Sequence, residues 1–248
     1  MTIFMIVGLL TGLFTPITAA AEENNDSSPQ QLKVYQEDVT GDTAKETIKL
    51  YGTSLAPDSD YYADIWATIS ISDEAEWEIP YEGGYEPEIQ FYDLNHNDVN
   101  DLLYQSATGG SGGLYHYHLH TFEHGQLNEI PLPEQESVKG EFKDGFQVAI
   151  QIDHEQKPAI VDVSNRSSEY VRLGIYDENG KLLDKTSPMI APIAFFEPVK
   201  ISDRKGYGLK SYQQISGAYR ADQLGTVETL WYYENDQWLI LKTEWLPS

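Results

Sequence analysis

From Leu32 onward the chain alternates short apolar runs with polar breaks, and the runs are too short for ordinary helices. Residues 47–51, 65–71, 89–92 and 102–105 are rich in Ile, Leu, Tyr and Thr and are separated by Gly, Pro, Asn or Asp, the pattern of strands and turns. Across residues 114–122, Tyr115, Tyr117 and Leu119 alternate with His116, His118 and His120, which puts the two sets on opposite faces of one strand. The sequence EHGQ at 123–126 then reads as a turn into a further strand at 127–130. After a proline- and acid-rich piece, PLPEQESVKGE at 131–141, strands are predicted at 147–152, 159–163, 171–176, 181–183, 193–196, 209–215, 227–234 and 238–245. DENG at 177–180 is a turn, and Asn235-Asp236 is a hairpin signal between the last two strands. No stretch combines sustained helical periodicity with caps. The pattern predicts an all-β protein.

Composition narrows the picture. The 248 residues include 16 Lys and Arg against 40 Asp and Glu, a formal net charge of -24. Such a chain is repelled by nucleic acid and by anionic lipid surfaces, and it attracts cations. Residues 1–21 read as a secretory signal peptide: an apolar segment from Ile3 to Phe14, a break at Pro16, then Ala19 and Ala21 in small-x-small spacing. No Lys or Arg precedes the apolar run, which departs from the usual signal. With no membrane insertion expected after cleavage, the expected localisation is secreted or extracellular, at the cell surface or spore-associated. Residues 22–31 read as a flexible N-terminus, 32–130 as one β region, 131–141 as a connecting segment and 142–248 as a second β-rich region. The chain has no cysteine, which excludes thiolate metal sites and cysteine nucleophiles.

Two stretches repeat one arrangement of oxygen-bearing side chains. Asp38, Thr40, Asp42 and Glu46 fall at positions one, three, five and nine of a loop, as do Asp93, Asn95, Asn97 and Asp101. Alternate oxygen ligands converging in a tight turn suit a hard cation such as Ca²⁺. An EF-hand is excluded: it requires Gly sixth and Glu twelfth, where the first loop has Thr43 and Lys49 and the second Asp98 and Tyr104. The shorter pattern resembles the Ca²⁺ loops of the VCBS and FG-GAP repeat families, which have integrin-type calcium-loop repeats close to DxDxDGxxDL. Thr43 and Asp98 stand where that pattern has Gly. The resemblance implies a secreted bacterial protein, Ca²⁺ as cofactor at those eight residues, and a propeller-like arrangement of short antiparallel strands. Weaker loop-then-strand units at Asp153 and Asp203 bring the expected count to four. The alternative fold is two packed β-sandwich or barrel-like halves.

Other constellations carry less. In HYHLH, residues 116–120, neighbouring histidines on one strand face can share a transition metal, and the bland alternative is a solvated face opposite a buried Tyr/Tyr/Leu face. GGSGG at 109–113 matches G-x-S-x-G, but a strand follows instead of the helix a nucleophile elbow needs, so Ser111 reads as a turn residue. No carboxylate pair stands out for glycosidase chemistry, no catalytic residue is assigned, and Trp231, Trp238 and Trp245 read as packing. The function expected is a non-enzymatic binding or structural module, stabilised by calcium, with a surface protein or glycan as partner. The rivals are a metal-dependent hydrolase using the histidine strand and an acidic surface protein without specific ion binding.

Overall fold

The computed structural model describes residues 28–71, 75–134, 138–152 and 157–248, and among them the chain forms three antiparallel sheets. The signal-peptide expectation at 1–21, most of the 22–31 segment and the first residues (153–156) of the unit beginning at Asp153 lie outside the described residues. The first sheet has eight strands: β1 (Gln30–Glu37), β2 (Glu46–Ser54), β3 (Tyr61–Ile71), β4 (Ala75–Tyr81), β5 (Gly84–Tyr92), β6 (Asp101–Ala107), β7 (Tyr115–Glu123) and β8 (Gln126–Ile130). Their spatial order is β1-β2-β3-β5-β6-β7-β8, with β4 also paired to β3. β3 is shared, its first residues meeting β5 and the rest meeting β4. β4 returns over the sheet, so that Tyr81 stacks on Tyr104 of β6 with centroids 3.7 Å apart and Trp77 meets Phe122 of β7 edge-on at 5.5 Å. Ile48, Leu50, Ile65, Ile69 and Leu102 fill the core enclosed by this turn.

The rest of the chain gives β9 (Lys139–Lys143), β10 (Gln147–Gln151) and β11 (Ala159–Asp162), then a short helix α1 (Ser167–Arg172). Four long strands follow: β12 (Met189–Ser202), β13 (Gly206–Ser216), β14 (Gln223–Glu234) and β15 (Gln237–Pro247). This four-stranded sheet holds the molecule together. Phe196, Leu209 and Trp231 pack on Leu94, Leu103, Leu119 and Ile130 of the first sheet region. Ile215, Leu224 and Val227 pack on Phe142, Val148, Ile150 and Tyr170.

The all-β class and the two hairpin turns stand as expected. His124 and Gly125 (φ 53° and 75°) join β7 to β8, and Asn235 and Asp236 (φ 52° and 59°) join β14 to β15, the left-handed pairs that tight hairpins require. Five differences follow. The segment at 171–176 is not a strand, because Val171 and Arg172 complete α1, which buries Tyr170 and is followed by Leu173 and Gly174, φ 72°. Residues 181–183 contribute only a single bridge, Tyr176 to Leu182. Gln30 and Gln31 belong to β1 through pairing with β2, not to a flexible tail. The sheets are open, and no closed barrel or propeller forms among the described residues. The unit at Asp203 is a tight turn between β12 and β13, closed by the Lys205 amide donating to Ser202 Oγ at 3.0 Å.

Candidate functional site

The eight loop residues come together as two copies of one hydrogen-bonded device. In the first, Asp38 accepts the Gly41 amide at 2.7 Å and the Thr43 amide at 2.8 Å. In the second, Asp93 accepts the Asn97 and Asp98 amides, both at 3.1 Å. Asp42 accepts the Ala44 amide at 2.8 Å, and Asn97 accepts the Val99 amide at 2.9 Å, the same two-residue reach. The ninth-position carboxylates open β2 and β6 and are buried. Glu46 accepts the Val39 amide at 2.9 Å and lies 3.3 Å from the Thr40 hydroxyl. Asp101 accepts the Leu94 amide at 2.8 Å and the Asn95 amide at 3.1 Å. Backbone angles repeat as well: Gly41 and His96 have φ 77° and 64°, and Thr43 and Asp98 have φ 72° and 68°. A Cβ at Gly41 would stand 2.7 Å from Val99 Cγ2, and Asn100 Nδ2 donates to Glu37 Oε1 at 2.9 Å, so the loops lie side by side.

Their surroundings differ. The first loop is mostly exposed. The second is fastened to the four-stranded sheet, with His96 stacked on Tyr232 at 4.4 Å and Lys205 Nζ 4.3 Å from the centroid of the same Tyr232 ring. Burial pushes the Asp101 carboxyl up to about 6 against the opposing pull of Thr121 and the two amides, and its Oδ1 has no formed hydrogen bond.

The histidine strand does not converge on a metal site. His118 lies between two glutamates, 2.8 Å from Glu129 through Nδ1 and 2.6 Å from Glu82 through Nε2. Burial alone would lower its pKa, but these two carboxylates reverse the sign and raise it. His120 is buried rather than solvated, and that burial lowers its pKa to about 4. Their rings are 6.0 Å apart at an interplanar angle of 24°. Ser111 is exposed in the β6–β7 turn, as a turn residue should be. Trp231, Trp238 and Trp245 all pack, Trp231 donating to Ser211 Oγ at 2.8 Å.

Charge is segregated. Residues 30–130 carry 19 acidic and 3 basic residues, whereas residues 138–248 carry 16 and 13. On the outer face of the first sheet, opposite its core, Tyr51 and Trp66 are register partners and stack with centroids 5.5 Å apart at 12°. Lys49, Thr68 and exposed Glu78 adjoin them, Thr68 pairing in register with both Lys49 and Glu78. This aromatic pair was missed by the sequence reading, because it exists only once β2 and β3 are in register.

A family model described as the YybI C-terminal domain matches residues 136–246, the span of the three- and four-stranded sheets. The chain is also similar to "Uncharacterized protein YybI" of Bacillus subtilis (strain 168), at 28% identity over 204 residues, covering 78% of this chain and 76% of that one. No solved structure matches. These findings correct the resemblance drawn from the loops, since neither a VCBS nor an FG-GAP family matches. The propeller and calcium-binding readings that came with it lose that support, and among the described residues no group of three or more His, Cys, Asp and Glu is placed to hold a metal ion. The misleading signal was local. A nine-residue spacing of oxygens between antiparallel strands is equally the requirement of a loop that satisfies its own amides.

Proposed function

We propose that this protein is an extracellular, non-catalytic binding module that holds a polysaccharide on the outer face of its eight-stranded sheet. The observation that carries the reading is the Tyr51–Trp66 stack, presented beside Lys49 and Glu78 on the face opposite the sheet's core. Flat aromatic rings cover the apolar faces of sugar rings, while a neighbouring carboxylate accepts from sugar hydroxyls and an ammonium donates to them. The charge balance of residues 30–130 disfavours anionic polymers and favours neutral or amino-sugar ones. The extracellular placement rests on the signal-like pattern of residues 1–21. The rival hydrolase reading has less support, because both ring nitrogens of His118 are already engaged by glutamates. Isothermal titration with glucosamine oligosaccharides tests the proposal. Saturable binding, weakened at least tenfold by Trp66→Ala and by raised salt, is expected; no heat of binding, or binding indifferent to Trp66, would reject it.

A further inference from the structure

The C-terminal region contains a cleft of about 600 Å³ of a different chemical character. It lies on the face of the β9–β10–β11 sheet turned away from the core formed by Phe142, Val148 and Ile150. Glu141, Ala149 and Ile160 are register partners across the three strands, so the methyl of Ala149 forms a low floor between longer side chains. The segment after Asp184 supplies a wall: Thr186 O accepts the Phe142 amide at 3.0 Å, and Pro188 closes on Gly140 so tightly that a Cβ there would clash. Ile160 and Ile190 line the cleft while remaining 55% and 37% exposed.

Around this apolar floor stand Lys139, Lys143 and Lys185. Lys143 pairs with Glu141, while Lys139 and Lys185 form no ion pair with a described residue. The hydrogen bond from Lys143, aided by the charges of Lys143 and Lys185, lowers the Glu141 pKa. Among the described residues that line the cleft, three lysines face one glutamate, a positive balance on a molecule of net charge -24. Lysine is a compact point charge suited to a carboxylate head, and a volume of this size falls in the usual ligand range of roughly 300–1,000 Å³.

We propose that this cleft binds a free single-chain carboxylate amphiphile, its head among Lys139 and Lys185 and its aliphatic tail over Ala149, Ile160 and Ile190. This site is independent of the polysaccharide face. Isothermal titration of the purified protein with hexanoate, octanoate and decanoate tests it, with octylammonium as the opposite-charge control. One saturable site is expected, with affinity rising up to about fourfold per added methylene and octylammonium at least tenfold weaker than octanoate. Lys139→Glu/Lys185→Glu, which changes only surface charge, and Ala149→Leu, which fills the floor, should each weaken decanoate at least tenfold with the circular dichroism spectrum unchanged. Absence of saturable binding, equal binding of octylammonium, or indifference to the lysine variant would overturn the proposal. So would flotation of the protein with phosphatidylglycerol vesicles when free decanoate does not bind.

Discussion

Asp101 and Asp222 are both enclosed carboxylates, and their surroundings separate the two regions of the molecule. In the acidic first sheet, Asp101 is met by two backbone amides and Thr121, with no cation beside it. In the C-terminal region, Asp222 pairs with Arg166, accepts the Tyr170 hydroxyl at 2.6 Å and accepts the Ala218 amide at 2.9 Å. A region with 3 basic residues among 19 acidic ones must satisfy its buried carboxylates with backbone, whereas one with 13 against 16 can spend a guanidinium on the task. Amides satisfy a carboxylate without neutralising it. The first region is therefore sensitive to pH and the second to loss of a side-chain partner.

The largest effect should come from Asp222→Ala, which leaves Arg166 and the buried Tyr170 hydroxyl without their shared acceptor. Urea denaturation is expected to show a loss of about 3–5 kcal/mol. A loss under 1 kcal/mol would remove the contrast with Asp101.

The next effect is a pH dependence hidden by cancellation. The Asp101 carboxyl is raised to about 6, so its neutral form favours the folded state below its ordinary value, and that stability is lost as pH rises through 6. His120 is lowered to about 4, so its neutral form favours the folded state above its ordinary value, and that stability is lost as pH falls through 4. Each amounts to about 3 kcal/mol at full extent, with opposite sign between pH 4 and 6. These two contributions therefore oppose one another over that window. Asp101→Asn should make stability climb with pH, and His120→Gln should make it fall. Denaturation midpoints at pH 4, 5, 6 and 7 decide this, and parallel profiles for the two variants would refute it.

A smaller change is expected two residues before His120 on β7. Glu82→Gln or Glu129→Gln should bring the His118 pKa down, read from its ring proton shifts by NMR. The clamp's contribution is fully present below the ordinary histidine value and is lost as pH rises through the raised one. An unchanged titration would mean that the two carboxylates do not set it. The smallest effect separates the two loops. Thr43 is β-branched at φ 72°, so Thr43→Gly should stabilise by about 1 kcal/mol, whereas Asp98→Gly at φ 68° should gain less, because Asp tolerates this region better. Thermal melts showing Asp98→Gly as the larger gain would reverse the ranking.

Much of the first region was legible in the sequence, and for a specific reason. Its loops are defined by side chains at fixed short offsets, such as Asp38 to Thr43 and Asp93 to Asp98, and hydrogen bonds within a loop need no tertiary information. What those offsets could not distinguish was a cation cage from a loop that binds its own amides. β4 went unread because Glu76, Glu78 and Pro80 interrupt its apolar set, although Trp77, Ile79 and Tyr81 all face the core. His120 was read as polar surface, since its burial is imposed by Tyr81 arriving from β4. The Tyr51–Trp66 pair and the Ala149 floor depend on strand register, which joins residues 15 apart in one case and three separate strands in the other. Short-range chemistry was visible, and cross-strand surfaces were not.

The central claim is that the outer face of the first sheet, and not the C-terminal cleft, holds the polysaccharide. It is tested most directly by co-sedimenting the purified protein with partially deacetylated chitin, using the unsubstituted protein, Trp66→Ala and Ala149→Leu side by side. The unsubstituted protein and Ala149→Leu are expected to pellet with the polymer while Trp66→Ala stays in the supernatant. Pelleting of Trp66→Ala to the same extent, or failure of all three to pellet, would contradict it.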